Sequence, residues 1–461
     1  METLENFLAR VNGVLWGAPM MVLLLGAGVY LTRCTGGVQF RRFGAALRCS
    51  LGGIFRRKKA APGAVSPFQA LATALAATVG TGNIVGVGQA IAMGGPGAIF
   101  WMWVAALVGM ALKYAEVLLA VRYRRRNSCG EWVGGPMYYM TAVLGRKWKG
   151  AAAAFALFGA LAAFGVGNIV QGNNIAHATH AALASLLPVS PEEGTVGLVV
   201  GLALAALTGM TLLGGMQRLG RVTAALMPLA SLGYILSALA VIFLHRENLL
   251  PALGSIFRCA FAPEAALGGA AGFTVSRAVT WGLRRGIFTN EAGLGSSPIA
   301  HAAADAASPV EQGLRGVFEV FADTIVICSF TALAILTSGV AIPWGVDTGS
   351  ELVGAAFATV YGVRASAVIL ALSMALFAFP TLLSWSLYGR RCAEYLLGER
   401  LGRGYEKLFV LVVLLGCVMD LSLAWRLADT LNGLMALPNL AALLALSDTV
   451  ARLTREEDRR K

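Results

Sequence analysis

Long apolar runs alternate with short polar and basic stretches along the whole chain. Eleven of these runs approach or exceed the roughly 20 residues that a membrane-spanning helix needs: 13–32, 67–94, 97–121, 151–187, 194–216, 222–244, 265–290, 316–340, 354–389, 406–424 and 429–449. Two of them are interrupted. The second carries no charge, yet its middle reads Val79-Gly80-Thr81-Gly82-Asn83, with Gly86 and Gly88 following. Glycine costs about 1 kcal/mol per helical position relative to alanine, so this segment is expected to unwind at its centre. The seventh holds Gly268-Gly269-Ala270-Ala271-Gly272 and ends in the polar stretch Gly286 to Gly293, and it too reads as broken. With the first segment set aside, stretches 67–244 and 265–449 each contain five segments and each open on a broken one. Paired interruptions in two halves point to an inverted-repeat transporter with its site at the breaks. The expected organisation is an extra N-terminal helix and basic loop (1–66), two five-helix repeats (67–244 and 265–449) and a charged tail (450–461).

Composition agrees with a membrane protein and excludes a soluble enzyme. The 461 residues are 57% hydrophobic and 13% charged, about half the usual charged share of about 25%. The net charge of +13 raises the question of nucleic acid, but the basic residues cluster between apolar runs, as loops facing a cytoplasm do. An outside N-terminus puts 30 of the 37 basic residues on the cytoplasmic side, Arg284 and Arg285 counted among them. Seven scattered cysteines without a CxxC pair indicate neither a disulfide framework nor a metal cluster. The start METLENFLAR is not a basic leader, so no cleaved signal peptide is expected.

A helix that unwinds inside a membrane frees N–H and C=O groups, which survive there only if buried or lining a cavity. Amides near Thr81, Gly82 and Asn83, at the positive end of the second half-helix, suit a carboxylate. Carbonyls near Ala76 and Val79 suit a hard monovalent cation. Close packing through Gly82-xxx-Gly86 is the competing explanation of the glycines, but it leaves Thr78, Thr81 and Asn83 unexplained. GTGNIVGVG does not match a dinucleotide fingerprint.

The fourth segment lacks Asp, Glu, Lys and Arg but carries Asn168, Gln171, Asn173, Asn174, His177 and His180. Gln171 and Asn174 are expected to face a cavity, Asn168 and Asn173 either a cavity or a neighbouring helix, and the two histidines solvent or a hydrogen-bond partner. In the ninth, Pro380 frees a carbonyl close to the hydroxyls of Thr381 and Ser384, oxygen donors of the kind sodium takes. Back-bonded hydroxyls in a bent helix are the alternative. Three ionisable residues, Lys113, Glu116 and Asp323, are placed inside spans. Their expected arrangement is a local Lys113–Glu116 pair, three residues apart, with Asp323 paired to Lys113; a gate or a cation ligand is the alternative role for Asp323.

Several long strings, SPFQALATALAATVGTGNIVGVGQA (66–90), GGPGAIFWMWVAALVGMALKYAE (94–116), GGPMYY (134–139), RGIFTNEAGLGSSPIAHAA (285–303) and DTIVICSFTAL (323–333), resemble the alanine or glycine:cation symporter family. The resemblance implies an all-α membrane protein with a LeuT-like five-plus-five inverted-repeat core and one extra N-terminal helix. It implies Na⁺-coupled import of alanine, glycine or another small neutral amino acid by alternating access. The implied setting is the bacterial or archaeal cytoplasmic membrane, with the N-terminus outside, the C-terminus inside and a monomeric transport unit. The lipid bilayer is the implied partner, nucleic acid and organic cofactors are not, and a proton-coupled transporter of the same fold or a nontransporting receptor or channel is the alternative. By the same resemblance, Gly80, Thr81, Gly82, Asn83, Gln171, Asn174, Gly272 and Phe273 hold substrate. Ala76, Val79, Thr381 and Ser384 hold one sodium, and Thr78 with Asn83 a second. Pro380 and Leu387 depart from the family pattern beside the first sodium position.

Overall fold

The computed structural model describes residues 2–55, 60–262, 274–419 and 422–460, and these are almost entirely helical. In chain order the principal helices are α1 (Glu2–Leu15), α2 (Ala18–Cys34), α3 (Val38–Arg41), α4 (Phe43–Phe55), α5 (Pro67–Thr78), α6 (Val85–Gly94), α7 (Gly97–Arg122), α8 (Pro136–Val143), α9 (Lys149–Phe164), α10 (Val170–Leu186), α11 (Glu193–Leu212), α12 (Gly215–Leu244) and α13 (Leu249–Phe261). There follow α14 (Val275–Asn290), α15 (Pro298–Ala302), α16 (Pro309–Val320), α17 (Ser329–Thr337), α18 (Gly349–Leu397), α19 (Glu399–Gly416), α20 (Ser422–Ala445) and α21 (Ser447–Arg459). Among the described residues, eight helical stretches are long and apolar enough to cross a membrane. Of the remaining expected spans, the second is the broken pair α5–α6, the seventh is α14, and the tenth is α19, whose first turns are rich in charge.

The central post is α7, in which every residue from Gly109 to Val121 is buried. Around it pack α2, α13, α14 and α16. Peripheral helices turn apolar side chains outward instead, for example Leu198, Val199 and Leu202 on α11 and Leu229, Leu232 and Leu236 on α12. That inverted surface is what a lipid environment requires.

Four irregularities position the interior. First, α5 starts on a capping box of Ser66 and Gln69 with Pro67 in its first turn, and it stops at an extended Val79. Thr81 to Asn83 form one 3₁₀ turn before α6 resumes. Second, α14 ends at Glu291 and the chain crosses to α15 with positive φ at Glu291 (52°), Gly293 (90°) and Gly295 (81°). Glycine takes such angles without steric cost, whereas Glu291 is held there by the surrounding contacts. The break therefore falls in the polar stretch flagged by the sequence, while the 268–272 glycine cluster lies outside the described residues. Third, α9 and α10 are joined by a π-helical turn at Gly165–Ile169, and α16 and α17 by another at Phe321–Cys328. Fourth, α18 changes direction at Gly362 (φ 74°), which separates a short arm from the long span carrying Pro380.

The glycines of α6 and of the turn before it divide their work. A Cβ on Gly88 would stand 2.4 Å from the Gly349 carbonyl oxygen, so this is backbone-to-backbone packing. Gly82 and Gly86 face side chains instead, Thr289 and Arg285 of α14. Arg284 and Arg285 correct the charge count: they belong to the interior of α14, not to a basic rim, and Arg284 pairs with Asp429 at 2.9 Å.

Candidate functional site

At the first break the freed groups of α5 and α6 meet α10 and α18. The Gly80 amide donates to Asn83 Oδ1 at 2.9 Å, so Asn83 caps the reopened turn. Thr81 Oγ1 donates to Gln171 Oε1 at 3.4 Å and accepts from Asn174 Nδ2 at 3.3 Å. A Cβ on Gly80 would sit 3.2 Å from Thr381 Oγ1 and 3.7 Å from Gln171 Oε1. Thr381 Oγ1 shares its one proton between the Ala76 carbonyl at 2.7 Å and Phe377 O at 2.9 Å, and one turn on Ser384 Oγ donates to Thr73 O at 2.7 Å. The structure thus brings Ala76, Gly80, Thr81, Gln171 and Thr381, all buried, together with the half-buried Asn174 into one ring of oxygens and amides. Its charge-free lining suits a small zwitterion beside a cation.

The placement of Gln171 has a local cause. Its Nε2 donates at 3.1 Å to Val166 O inside the π-helical turn, which aims the amide oxygen at Thr81. Other polar residues of the fourth segment are interhelical ties: Asn168 Nδ2 donates to Phe409 O and Asn173 Nδ2 to Met419 O, both at 2.8 Å. His177 meets Glu193 at 3.3 Å and His180 meets Pro191 O at 3.0 Å, as expected of solvated or partnered histidines.

Asn83 and Thr78 are not brought together by hydrogen bonds. Thr78 Oγ1 bonds back to Ala74 O and Leu75 O of its own helix. The Asn83 amide turns to α16–α17, donating to Asp323 Oδ1 at 2.6 Å, while Thr331 donates to Asn83 O at 2.8 Å. Val79 is buried. Gly82 stands against Thr289. Gly272 and Phe273 lie outside the described residues.

The ionisable residues pair differently from the sequence expectation. Lys113 Nζ donates to Ser297 Oγ at 2.7 Å and Glu291 O at 3.2 Å, and it pairs with Glu319 Oε1 at 3.3 Å. Glu116 accepts instead from Asn439 Nδ2 at 2.6 Å and the Gly295 amide at 3.1 Å. Both local and Asp323 pairings for Lys113 are therefore replaced, because the chain crossing from α14 to α15 offers donors and acceptors at those depths. Glu319 completes the set by meeting His301 Nε2 at 2.9 Å, whose Nδ1 faces Gln312 at 2.8 Å. Sequence reasoning missed Glu319, although its spacing of four residues from Asp323 in an apolar helix was a usable signal. This cluster rivets the second break to α7, next to the first break.

Two cavities approach the first break from opposite ends of the bundle. One of about 320 Å³ runs past Ser350, Glu351, His177 and Asn174 to Val85. The other, about 260 Å³ and almost wholly apolar, runs past Ser50 and Phe68 to Leu75 and Val79.

Comparison with known proteins agrees with this architecture. The sodium/alanine symporter AgcS of Methanococcus maripaludis is 43% identical over 449 residues, covering 96% of this chain and 95% of that one. A transporter of Haemophilus influenzae of uncharacterized specificity is 44% identical over 460 residues, covering 98% and 96%. Among solved structures, MhsT in complex with L-phenylalanine superposes with a TM-score of 0.58 at 13% identity, covering 86% of this chain and 99% of that one. That likeness gives the fold, an all-α LeuT-like transporter core. The model of the sodium:alanine symporter family matches residues 1–461, and the chain belongs to that family.

Proposed function

We propose that the protein imports a small neutral amino acid, alanine or glycine in size, together with Na⁺, by alternating access across a bacterial or archaeal cytoplasmic membrane. The observation that carries this reading is the opened turn at Gly80–Asn83, closed on one side by Gln171 and Asn174 and on the other by Thr381. The substrate carboxylate lies against the amides of Thr81 and Gly82 ahead of α6, beside Gly80, with Gln171 and Asn174 as polar partners. Ala76, Val79, Thr381 and Ser384 provide the oxygens for sodium. The two cavities flanking the break support access from each side in turn, with α1 outside and α21 cytoplasmic. Domain limits of 67–244 and 265–449 for the two repeats fit the broken pairs that open each.

The test is uptake of labelled alanine into proteoliposomes with an inward Na⁺ gradient, against choline at fixed pH. Sodium-dependent accumulation is expected, and undiminished uptake in choline overturns the reading. A proton as co-ion is the second reading, favoured by one observation: Asp323, a titratable group, is hydrogen-bonded to Asn83 at the break. In that case a pH gradient alone drives accumulation and Asp323→Asn abolishes it.

A further inference from the structure

One cation in the interior has no use in the arrangement described so far. Arg285 lies on α14 one turn from Phe288 and Thr289, which stand against Gly82 at the break. Its own Cδ is 3.7 Å from where a Cβ on Gly86 would be, so it borders α6. The guanidinium is flanked by Trp281, 5.6 Å to the ring centroid, and Phe288, 6.0 Å. Its Nε is buried and has no hydrogen-bond partner among the described residues. Two carboxylates act on it from a distance, Asp429 and Asp347, and neither is within ion-pair range. Asp429 is already engaged by Arg284 at 2.9 Å.

A buried, always-charged guanidinium without an ion pair is costly, and two aromatic faces compensate it only in part. The side chain as a whole is half-buried, so a ligand can reach its outer nitrogens although the Nε is buried. Five N–H donors in a planar fork match a carboxylate or a phosphate bidentately, and of the two the carboxylate is the anionic group of the proposed substrate. The location, one helical turn from the break along α6, lies next to the site proposed for the amino acid.

We infer that Arg285 forms a carboxylate-docking site on the approach to the break, where the incoming amino acid is held by its carboxylate before passing to Gly80–Asn83. The inference rests on the proposed amino-acid specificity only for the identity of the natural ligand; carboxylate binding at Arg285 is testable without it. In this arrangement the guanidinium attracts the anionic end and turns it towards the helix terminus, while repelling amino acids of net positive charge.

The experiment uses the full-length protein in detergent. Phenylglyoxal labelling of Arg285, read by mass spectrometry, is followed with increasing propionate and, separately, with its neutral counterpart propionamide and with chloride, at constant ionic strength. Propionate is expected to suppress labelling at least fivefold, in wild type and equally in Asn83→Ala, whose damaged break site removes indirect protection. Propionamide is expected to leave labelling unchanged. Suppression by chloride to the same extent, or none by propionate, overturns the inference. In proteoliposomes, Arg285→Gln is expected to lower kcat/KM for alanine about tenfold with kcat retained, and Arg285→Lys to recover part of it. Unchanged kcat/KM in Arg285→Gln overturns the docking role. Absence of Na⁺-driven alanine uptake by wild type instead defeats the proposed function, and the labelling result stands apart from it.

Discussion

Replacing Lys113 by Met removes a buried charge that donates to Ser297 Oγ and Glu291 O and forms an ion pair with Glu319 Oε1 at 3.3 Å. The substitution keeps most of the side-chain volume but leaves Glu319 buried with His301 as its remaining partner. Breaking a buried pair by removing one member costs about 3–5 kcal/mol, mostly because the other charge is stranded. Glu319→Gln, made alone, strands Lys113 in the same way. Combining the two removes both charges, so the double variant is expected to regain about 2 kcal/mol or more of the summed loss, within the range of coupling energies for residues in contact. The assay is a double-mutant cycle by denaturation in mixed micelles, with uptake measured in parallel. Because Ser297 and Glu291 belong to the second break, the single variants are also expected to lose maximal transport rate. Strict additivity, with the double equal to the sum within about 0.5 kcal/mol, would refute the reasoning that the two charges are held for one another.

Asn83→Ala removes the cap on Gly80 and the bond to Asp323, and is expected to weaken substrate or sodium affinity tenfold or more, about 1.4 kcal/mol, as read by Na⁺-dependent binding; wild-type affinity refutes it. Gly167→Ala places a Cβ 2.0 Å from Trp385 Cβ and is expected to abolish folded expression, whereas Gly404→Ala, with nothing within 4 Å, leaves stability unchanged or raises it by up to about 1 kcal/mol. Glu131 lies in the turn between Arg126 and Trp132, where burial by itself raises its pKa, but Arg391 and Arg390 together hold it below the ordinary 4.5. A depressed carboxylate stabilises above its unfolded value and the contribution is lost as pH falls through the folded value; hydrogen exchange in 125–133 is therefore expected to accelerate below about pH 4.5, and Glu131→Gln to remove that dependence.

What could be read from sequence follows from how local each feature is. The opening at Gly80–Asn83 was visible because glycine and asparagine in a charge-free run weaken the helix at that very place. Gln171 and Asn174 were visible because they share a helix face, so one cavity-facing residue implies the other. The pairing of Lys113 was not visible. Its partners arrive on α16 and on the crossing after Asn290, and spacing along α7 suggested only Glu116. Arg285 was misread for a related reason: charge near the end of an apolar run looks like a loop until the neighbouring helices are seen to cover it. The glycine pattern of α6 was ambiguous in one dimension and separates in three, with Gly88 against backbone and Gly82 against a side chain.

The π-helical turn at Gly165–Ile169 makes the site depend on a count. Such a turn accommodates one residue more than α-helical geometry would, and each residue rotates a helix by about 100°. Asn168 within it reaches Phe409 on one side, while Gln171 and Asn174 beyond it reach Thr81 on another. Deleting a single residue here, of any kind, would swing the anchored half of the segment by more than a quarter turn relative to the half that meets the break. The chemistry at Thr81 is thus written partly in register: two chains with identical polar residues but one residue more or less before Gln171 would not share a binding site.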